Sequence, residues 1–370
     1  MTHPDDGSAL PGDNQHPRWW IYRGTRLPRA DFSLTELLPP PPPWRTFSGG
    51  PVLPSPPHDD VETLRRLGSH LPTRTVSEFA RREAEMVNAA LLLRRPLLVS
   101  GRPGTGKSSL AYRVSRELCL GRVLRWHITS RTTLQRGLYD YDAIGRVQDT
   151  AAARAALGQG PSEGEDPTAL GIGEYLQLGP LGTALLPYAE PRVLLIDELD
   201  KSDLDLANDL LSIFEEGSFT IPELLRARRR HPVVRVLTND PEGEAEIRGG
   251  TVTCNAFPLV VMTSNSEREF PPAFLRRCLL LEMPDPSQDD LADMLAAHFG
   301  EETARQWGGD LIARFLERSR ERGGLSRDQL LNSLYLATSG GVGGQDGSLY
   351  ELVEAVWHRL DRSRSGTKPG

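Results

Sequence analysis

Blocks of apolar and polar positions alternate along the chain in an order that predicts strands separated by helices. Residues 76–94 place apolar side chains at a spacing of about 3.6, which predicts a helix that Pro96 ends. Five short apolar segments have the length of buried strands; they cover residues 96–100, 123–129, 192–196, 258–264 and 278–282. Helical patterns at 107–119 and 203–216 lie between them. This alternation predicts an α/β fold, a parallel sheet with helices on both faces, in a core domain at 76–284.

After Pro284 the strand patterns stop and only helical periodicity remains. Four amphipathic patterns follow; they cover residues 289–299, 303–322, 327–338 and 349–360. We therefore expect a separate small all-α domain at 285–362, followed by a disordered C-terminus at 363–370.

The first 75 residues carry 14 of the 30 prolines, including the run at 39–43. Such a stretch is typical of an extended tail or linker, largely disordered. Two apolar patches inside it, at 19–22 and 32–38, are expected to dock either onto the folded body or onto a partner. The role of the first patch, Trp19-Trp20-Ile21-Tyr22, is left open.

Two segments interrupt the strand–helix alternation of the core domain. Residues 146–171 are rich in Ala, Gly, Glu and Pro. Residues 219–257 carry short β-like pieces, at 233–237 and 251–254, around the turn Asn239-Asp240-Pro241. That turn is consistent with a hairpin. Both segments are expected to be insertions at the surface.

Composition excludes several classes of protein. The 370 residues suggest about two or three domains, and 43 basic against 50 acidic residues give a net charge of −7. This balance argues against a protein that coats nucleic acid. The longest apolar runs fall well short of the roughly 20 residues that span a bilayer, and no signal-peptide pattern begins the chain. Three cysteines lack the spacing of a disulfide framework or a zinc site. We expect a cytoplasmic protein with no membrane partner.

A glycine-rich segment after the first predicted strand matches the pattern of a phosphate-binding loop. Its glycines let backbone N–H groups converge on a phosphate, and the following helix adds partial positive charge. Lys107 would supply a compact charge to the β- and γ-phosphates, and the Ser108 hydroxyl would bind Mg²⁺. Only 3 of the 43 basic residues are lysines, which favours a specific need for Lys107. The candidate nucleotide-binding residues are Gly101, Arg102, Pro103, Gly104, Thr105, Gly106, Lys107, Ser108 and Ser109.

Two acidic residues follow the apolar strand at 192–196. Carboxylates at the end of a buried strand are costly unless they meet a cation or water. Asp197 is therefore the candidate second Mg²⁺ residue, acting through water, and Glu198 the candidate general base that polarises the attacking water.

Further candidates carry a weaker signal. Asn265 follows the next strand and could orient water against the γ-phosphate, although an asparagine there is more often a turn residue. Arg276 and Arg277 end a short predicted helix, where arginines ordinarily form a solvated face or match the helix dipole. A basic run within the second insertion is either solvated or a grip on an acidic substrate or a nucleic-acid backbone; it comprises Arg226, Arg228, Arg229 and Arg230. No aromatic residues interleave with this run, so nucleic acid is the less favoured partner.

These segments, taken in order and followed by a helical domain, resemble an AAA+ ATPase with a P-loop NTPase sheet. The stretches at 178–181, 197–202 and 210–216 resemble more narrowly the MoxR-like and dynein-related branch. That branch carries an insert in its second helix and a hairpin before its fourth strand. The resemblance covers about 76–360. It implies ATP and Mg²⁺ as ligands and a lid formed by the helical domain.

The resemblance also implies roles for single residues. Asn265 resembles the sensor-1 residue, and Arg327, at the start of a predicted lid helix, resembles sensor 2. Arg276 or Arg277 resembles the arginine finger that reaches the γ-phosphate of a neighbouring subunit. Arg277 aligns with the arginine of the usual Asp-Arg-Phe, but Arg276 and Cys278 replace its neighbours, so the finger is either of the two. A finger of this kind implies a ring, with a hexamer as the expected active form.

The function implied is a ring-forming, Mg²⁺-dependent ATPase that remodels or assembles client proteins. Partners in the MoxR-like group often carry a von Willebrand A domain. Two alternatives stay open. One is a motor of the dynein-related branch that acts on nucleic acid or prefers GTP; the other is a nucleotide-gated signalling switch in a bacterial defence-type system. The phosphate motif does not distinguish ATP from GTP, and the sequence does not identify the client, the pathway or the ring size.

Overall fold

The computed structural model describes residues 17–29, 33–54, 60–70, 78–156, 171–322, 325–339 and 356–357. Its strands are β1 (Leu97–Ser100), β2 (Leu124–His127), β3 (Tyr139–Tyr141), β4 (Leu176–Leu178), β5 (Val193–Asp197), β6 (Ser218–Thr220), β7 (Val233–Leu237), β8 (Glu244–Arg248), β9 (Thr251–Thr253), β10 (Leu259–Ser264) and β11 (Leu279–Glu282). Its α-helices are α1 (Leu34–Leu37), α2 (Asp60–Leu67), α3 (Glu78–Leu93), α4 (Ser109–Leu118), α5 (Leu134–Leu138), α6 (Ala143–Ala156), α7 (Pro180–Ala184), α8 (Leu204–Glu216), α9 (Pro222–Ala227), α10 (Pro272–Leu275), α11 (Gln288–Phe299), α12 (Glu301–Arg322) and α13 (Arg327–Thr338).

The five apolar segments predicted as strands form one parallel sheet, in the order β11-β1-β10-β5-β2. Every residue of β5 and of β10 is buried, as expected for central strands covered on both faces. The predicted α/β fold is confirmed. Since β1, β10 and β5 are neighbours, the loops at their carboxyl ends meet at one edge of the sheet, the edge where ligands bind in open α/β sheets.

A second, six-stranded sheet has the order β3-β4-β7-β8-β9-β6. Residues 219–257, expected as an insertion at the surface, are exposed on one face of their hairpin and buried on the other. A hairpin does form around the predicted turn, but β7 pairs with β8 and not with residues 251–254, whose strand β9 pairs with β6. Exposed and buried residues alternate along both β7 and β8. Their inner face contributes Val236 and Ile247 to the apolar cluster that also holds Leu194 and Ile196 of β5. The reason is that one face of an antiparallel hairpin is apolar and has to be covered. Of the first insertion, residues 157–170 lie outside the described part.

The helices after Pro284 build a core of their own. Helices α11, α12 and α13 meet around Leu291, Leu295, Phe315 and Leu330, and Trp357 is buried in the same cluster. Three of the four predicted helices are thus present at nearly the predicted positions. The fourth, predicted at 349–360, lies outside the described residues except for 356–357.

The described parts of the proline-rich segment lie against the body. Ile21 and Tyr22 are buried, and their backbone N–H groups donate to Oδ1 of Asn88 at 2.7 and 2.9 Å. This aromatic patch was expected to dock either onto the folded body or onto a partner, and in the structure it packs onto the folded body. Farther along, Arg45 donates to the carbonyls of Arg94 and Phe214. Residues 1–16, 30–32, 55–59 and 71–77 lie outside the description. Among the described helices, none is long and apolar enough to cross a membrane.

Candidate nucleotide-binding site

The loop between β1 and α4 depends on its glycines. Gly101, Gly104 and Gly106 have φ angles of 150°, 81° and 87°, a region that side chains with a Cβ rarely adopt. A Cβ on Gly104 would also lie 2.8 Å from Cα of Ser326, and one on Gly106 would collide with the guanidinium of Arg327. The backbone therefore approaches the helical domain closely at this loop.

Lys107 joins two loops across the edge of the sheet. Its Nζ donates to the carbonyls of Gly101 and Arg102 and to Oδ1 of Asn265, each at 2.8 Å. Burial lowers the pKa of Lys107, opposed by the charges of nearby acidic groups. Because Oδ1 of Asn265 accepts from Lys107, the amide nitrogen of Asn265 is the group left to donate to a ligand or a water.

Asp197, at the end of β5, is surrounded by donors. Its Oδ1 accepts from the hydroxyls of Ser108 at 2.6 Å and Thr263 at 2.8 Å. Its Oδ2 accepts from Nη2 and Nε of Arg125 at 2.6 and 3.2 Å. Burial alone would raise the pKa of Asp197, but the hydrogen bonds from Ser108, Arg125 and Thr263 outweigh it, so the pKa is lowered. Asp197 is therefore a carboxylate at neutral pH.

Glu198 stands on a left-handed backbone, with φ of 63°, which is uncommon for a residue other than glycine. Its N–H donates to Oγ1 of Thr263 at 2.8 Å. The carboxylate forms an ion pair with Nζ of Lys201 at 2.8 Å and lies 3.8 Å from Nδ1 of His127. The second of the three lysines thus also lies at this site.

Asp200 fixes the loop that carries Asn265. Its Oδ2 accepts from the backbone N–H groups of Asn265 at 2.8 Å and Glu267 at 3.1 Å. The sequence did not predict five of the residues found at this site, namely Lys201, His127, Asp200, Thr263 and Arg125. A signal existed for two of them, since exposed and buried positions alternate along β2 and place Arg125 and His127 on the same face.

Arg327, the first residue of α13, brings a cation onto the glycine-rich loop. Its guanidinium lies against Gly106, and Nε is buried with no hydrogen-bond partner among the described residues. Burial, together with the charge of Arg113, lowers the pKa of Arg327 to about 10, so the group stays protonated at neutral pH. A buried guanidinium with an unpartnered Nε beside such a loop is suited to binding a polyphosphate.

Ser108 and Asp197 also fit a hard cation. Their oxygens are 2.6 Å apart, and hydroxyl and carboxylate oxygens are the donors that Mg²⁺ accepts beside substrate phosphates. No cluster of three or more His, Cys, Asp or Glu side chains with metal-binding geometry occurs in the described part of the chain. A P-loop site needs none, since phosphates complete the coordination.

The structure does not bring Arg276 and Arg277 to the glycine-rich loop. Both are exposed and precede β11 at the amino edge of the sheet. The loop follows β1, whose four residues, paired in parallel with β11, span roughly 13 Å. Arg277 forms an ion pair with Glu215 and donates to the carbonyl of Ala273 at 3.2 Å. The Arg276 side chain makes no hydrogen bond or ion pair with the described residues.

Residues 96–278 match the family model described as an AAA domain of the dynein-related subfamily. The matched segment runs from the residue before β1 to the residue before β11 and contains the glycine-rich loop, Asp197, Glu198 and Asn265. A search of curated proteins finds no match. This match supports the assignment of the chain as a nucleotide-dependent AAA+ ATPase.

Proposed function

We propose that this chain, with its AAA domain at residues 96–278, is a Mg²⁺-dependent ATPase that assembles into a ring, expected to be a hexamer, and remodels client proteins. One observation carries the proposal. Five polar side chains line one pocket at the glycine-rich loop, at the carboxyl edge of the sheet; they are Lys107, Ser108, Asp197, Asn265 and Arg327.

Nucleotide binding falls to the glycine-rich loop and two cations. Backbone N–H groups of the loop and Nζ of Lys107 would hold the β- and γ-phosphates, and the guanidinium of Arg327 would approach from the helical domain. Mg²⁺, held by Ser108 and through water by Asp197, would neutralise charge on the phosphates. Since Arg327 lies on α13, ligand binding couples the helical lid to the core.

Hydrolysis needs a positioned water. The Glu198 carboxylate is the proposed general base, and Lys201 and His127 restrict its orientation. The Asn265 amide, fixed through its Oδ1 by Lys107, is the proposed donor that orients the attacking water against the γ-phosphate. General-base and orienting groups of this kind contribute about 10² to 10⁴ in rate.

Two features of the amino edge of the sheet support action between copies. Arg276 and Arg277 are too far from their own loop to serve it, so an arginine finger would have to act in a second copy. Trp44 is 77% exposed and borders the same groove as Arg277. Its neighbour Arg45 is fixed by hydrogen bonds. Tryptophan and arginine are enriched at the energetic centres of interfaces.

The second sheet is the proposed route from the nucleotide to a client. Arg192, directly before β5, is buried and donates two bonds of 2.8 Å to Asp240 in the turn between β7 and β8. A shift of β5 during the cycle would move this hairpin with it. The exposed arginines between 226 and 230 would contact an acidic client segment, and a von Willebrand A-domain protein is the proposed type of partner.

The test is steady-state hydrolysis of ATP and of GTP at increasing protein concentration, with Glu198→Gln beside the wild type. We expect ATP hydrolysis whose specific activity rises with concentration and falls at least about hundredfold in the variant. Hydrolysis at the wild-type rate by Glu198→Gln would refute the proposed mechanism. A specific activity independent of concentration, in a protein that sediments as a monomer, would refute the ring.

A further inference from the structure

Arg125 is an unassigned cation at the nucleotide site. It lies on β2, the edge strand beside β5, and its guanidinium makes two hydrogen bonds, of 2.6 and 3.2 Å, to Oδ2 of Asp197. The other carboxylate oxygen accepts from Ser108 and Thr263. A carboxylate offers about four lone-pair sites, so these four bonds occupy the whole group.

Arg125 is the cation that pairs directly with the carboxylate of Asp197. The charge of Lys107 also interacts with that of Asp197, but the three hydrogen bonds of its Nζ go to two carbonyls and to Asn265. The hydroxyls of Ser108 and Thr263 are neutral. Within the described part of the chain, the pair with Arg125 is the only ion pair of Asp197. The Asp197 side chain is 6% exposed, so leaving its charge uncompensated would be costly.

Arg125 is placed where Mg²⁺ could replace it as the partner of Asp197. Its side chain is 36% exposed, and it lines the same open pocket as Lys107, Ser108 and Asn265. Mg²⁺ bound at Ser108 would require Asp197 as a partner through water. The cation and the guanidinium therefore draw on the same carboxylate.

We propose that Arg125 is a positioning residue that neutralises Asp197 when Mg²⁺ is absent, so that this chain binds nucleoside triphosphate without the metal. This role presupposes the nucleotide site proposed above, but not hydrolysis. Without a cation on Asp197, its carboxylate would repel the polyphosphate. With Mg²⁺ bound, the metal supplies the positive charge and Arg125 becomes dispensable for affinity.

The test is a binding experiment on the full chain with a non-hydrolysable ATP analogue, by isothermal titration calorimetry in EDTA and in excess Mg²⁺. The quantity measured is the ratio of the two dissociation constants, EDTA over Mg²⁺. We expect Arg125→Gln to weaken binding about tenfold in EDTA, because the uncompensated carboxylate of Asp197 then repels the polyphosphate, and two like charges about 4 Å apart repel strongly enough for a loss of that size. In Mg²⁺ the loss should stay below about threefold, because the metal supplies the positive charge. The ratio therefore rises.

Three further variants make the result specific. Arg125→Lys keeps the charge and should restore most of the affinity in EDTA. Arg235→Gln is the matched control, since Arg235 is an exposed arginine on β7 that pairs with Glu244 at 3.4 Å outside the pocket; it should leave both constants unchanged. In an Asp197→Asn background, Arg125→Gln should have no further effect in EDTA, because no charge remains to be neutralised.

Two results would overturn the proposal. Wild-type dissociation constants in both EDTA and Mg²⁺ for Arg125→Gln would mean that Arg125 does not substitute for the metal. An equal loss in EDTA and in Mg²⁺ would mean that Arg125 binds the phosphates directly. If the wild-type protein bound no nucleotide under either condition, the nucleotide site itself would be refuted, which is a different outcome from tight binding with an unchanged ratio. Circular dichroism of each variant checks that it is folded.

Discussion

The Nζ of Lys107 and the Oδ1 of Asn265 are 2.8 Å apart, although 158 positions separate the two residues in the chain. This bond joins the loop after β1 to the loop after β10, which is the neighbouring strand. Asn265 lines the same pocket as Lys107 and the glycine-rich loop, and the bond leaves its amide nitrogen as the free donor. The contact would link the proposed phosphate binding by Lys107 to the proposed water positioning by Asn265.

Replacing Asn265 by alanine is expected to slow hydrolysis without loosening the nucleotide. Because the amide is proposed to act on the water rather than to hold phosphate, kcat should fall about 10² while the Kd for nucleotide stays within about threefold. Parallel measurement of kcat and Kd checks this, with Gln177→Ala, an exposed amide on β4, as the control. A loss confined to Kd would assign Asn265 to ground-state binding.

Arg327→Met is expected to separate stability from binding. The buried guanidinium has an unpartnered Nε and a pKa lowered to about 10, so its charge destabilises the free protein. The variant should bind nucleotide at least about tenfold more weakly and unfold at an equal or higher temperature. Thermal unfolding without nucleotide, beside calorimetric Kd values, measures both effects. A variant less stable than the wild type, with unchanged affinity, would mean that Arg327 is structural.

Arg276→Ala is expected to reduce hydrolysis at least about hundredfold, and Arg277→Ala less, since Arg277 already pairs with Glu215 in its own chain. Mixing tests whether the arginine acts between copies. Lys107→Ala chains keep Arg276, and Arg276→Ala chains keep Lys107, so a mixture should regain activity that neither variant has alone. No recovery in mixtures that demonstrably co-assemble would exclude a finger supplied by a neighbour.

The contact between the N-terminal segment and the core should be stabilising through Glu83. This buried carboxylate accepts from the Tyr22 hydroxyl at 2.7 Å and pairs with Arg113 at 2.5 Å. Removing its charge leaves Arg113 uncompensated, so Glu83→Gln should lower the free energy of unfolding by about 3 kcal/mol. Glu85→Gln, which breaks only exposed pairs on the same helix, should cost less than about 1 kcal/mol. Urea titration measures the free energy of unfolding of both variants. Equal losses in the two variants would contradict a stabilising role of the Tyr22–Glu83–Arg113 contacts.

Acid should destabilise the fold partly through Asp197. The folded-state pKa of Asp197 is lowered, so its contribution is fully present above the unfolded value of about 3.9. It is lost as the pH falls through the lower folded value. Urea unfolding at several pH values below about 5 should therefore show a shallower loss for Asp197→Asn than for the wild type. Parallel curves would mean that Asp197 gains no stabilisation on folding.

Local pattern was sufficient for the elements whose residues carry strong signals. The uninterrupted apolar run of β5 and the strand–glycine–helix order around Lys107 predicted both the central sheet and the phosphate loop. The short strands β3, β4 and β6 were missed, because three residues carry too little periodicity and their pairing depends on distant partners. The packing of Tyr22 likewise depended on Asn88 and Glu83, 66 and 61 positions away.

The sequence by itself determined the sheet, the glycine-rich loop and the acidic end of β5, because buried strands and phosphate loops require particular residues at short spacing. Only the tertiary structure decided that Arg327 lies on Gly106, that Arg125 pairs with Asp197, and that Arg276 lies at the opposite edge of the sheet from its own loop. These relationships join residues far apart in the chain. Strand order and the placement of α13 fix them, and no local pattern encodes either.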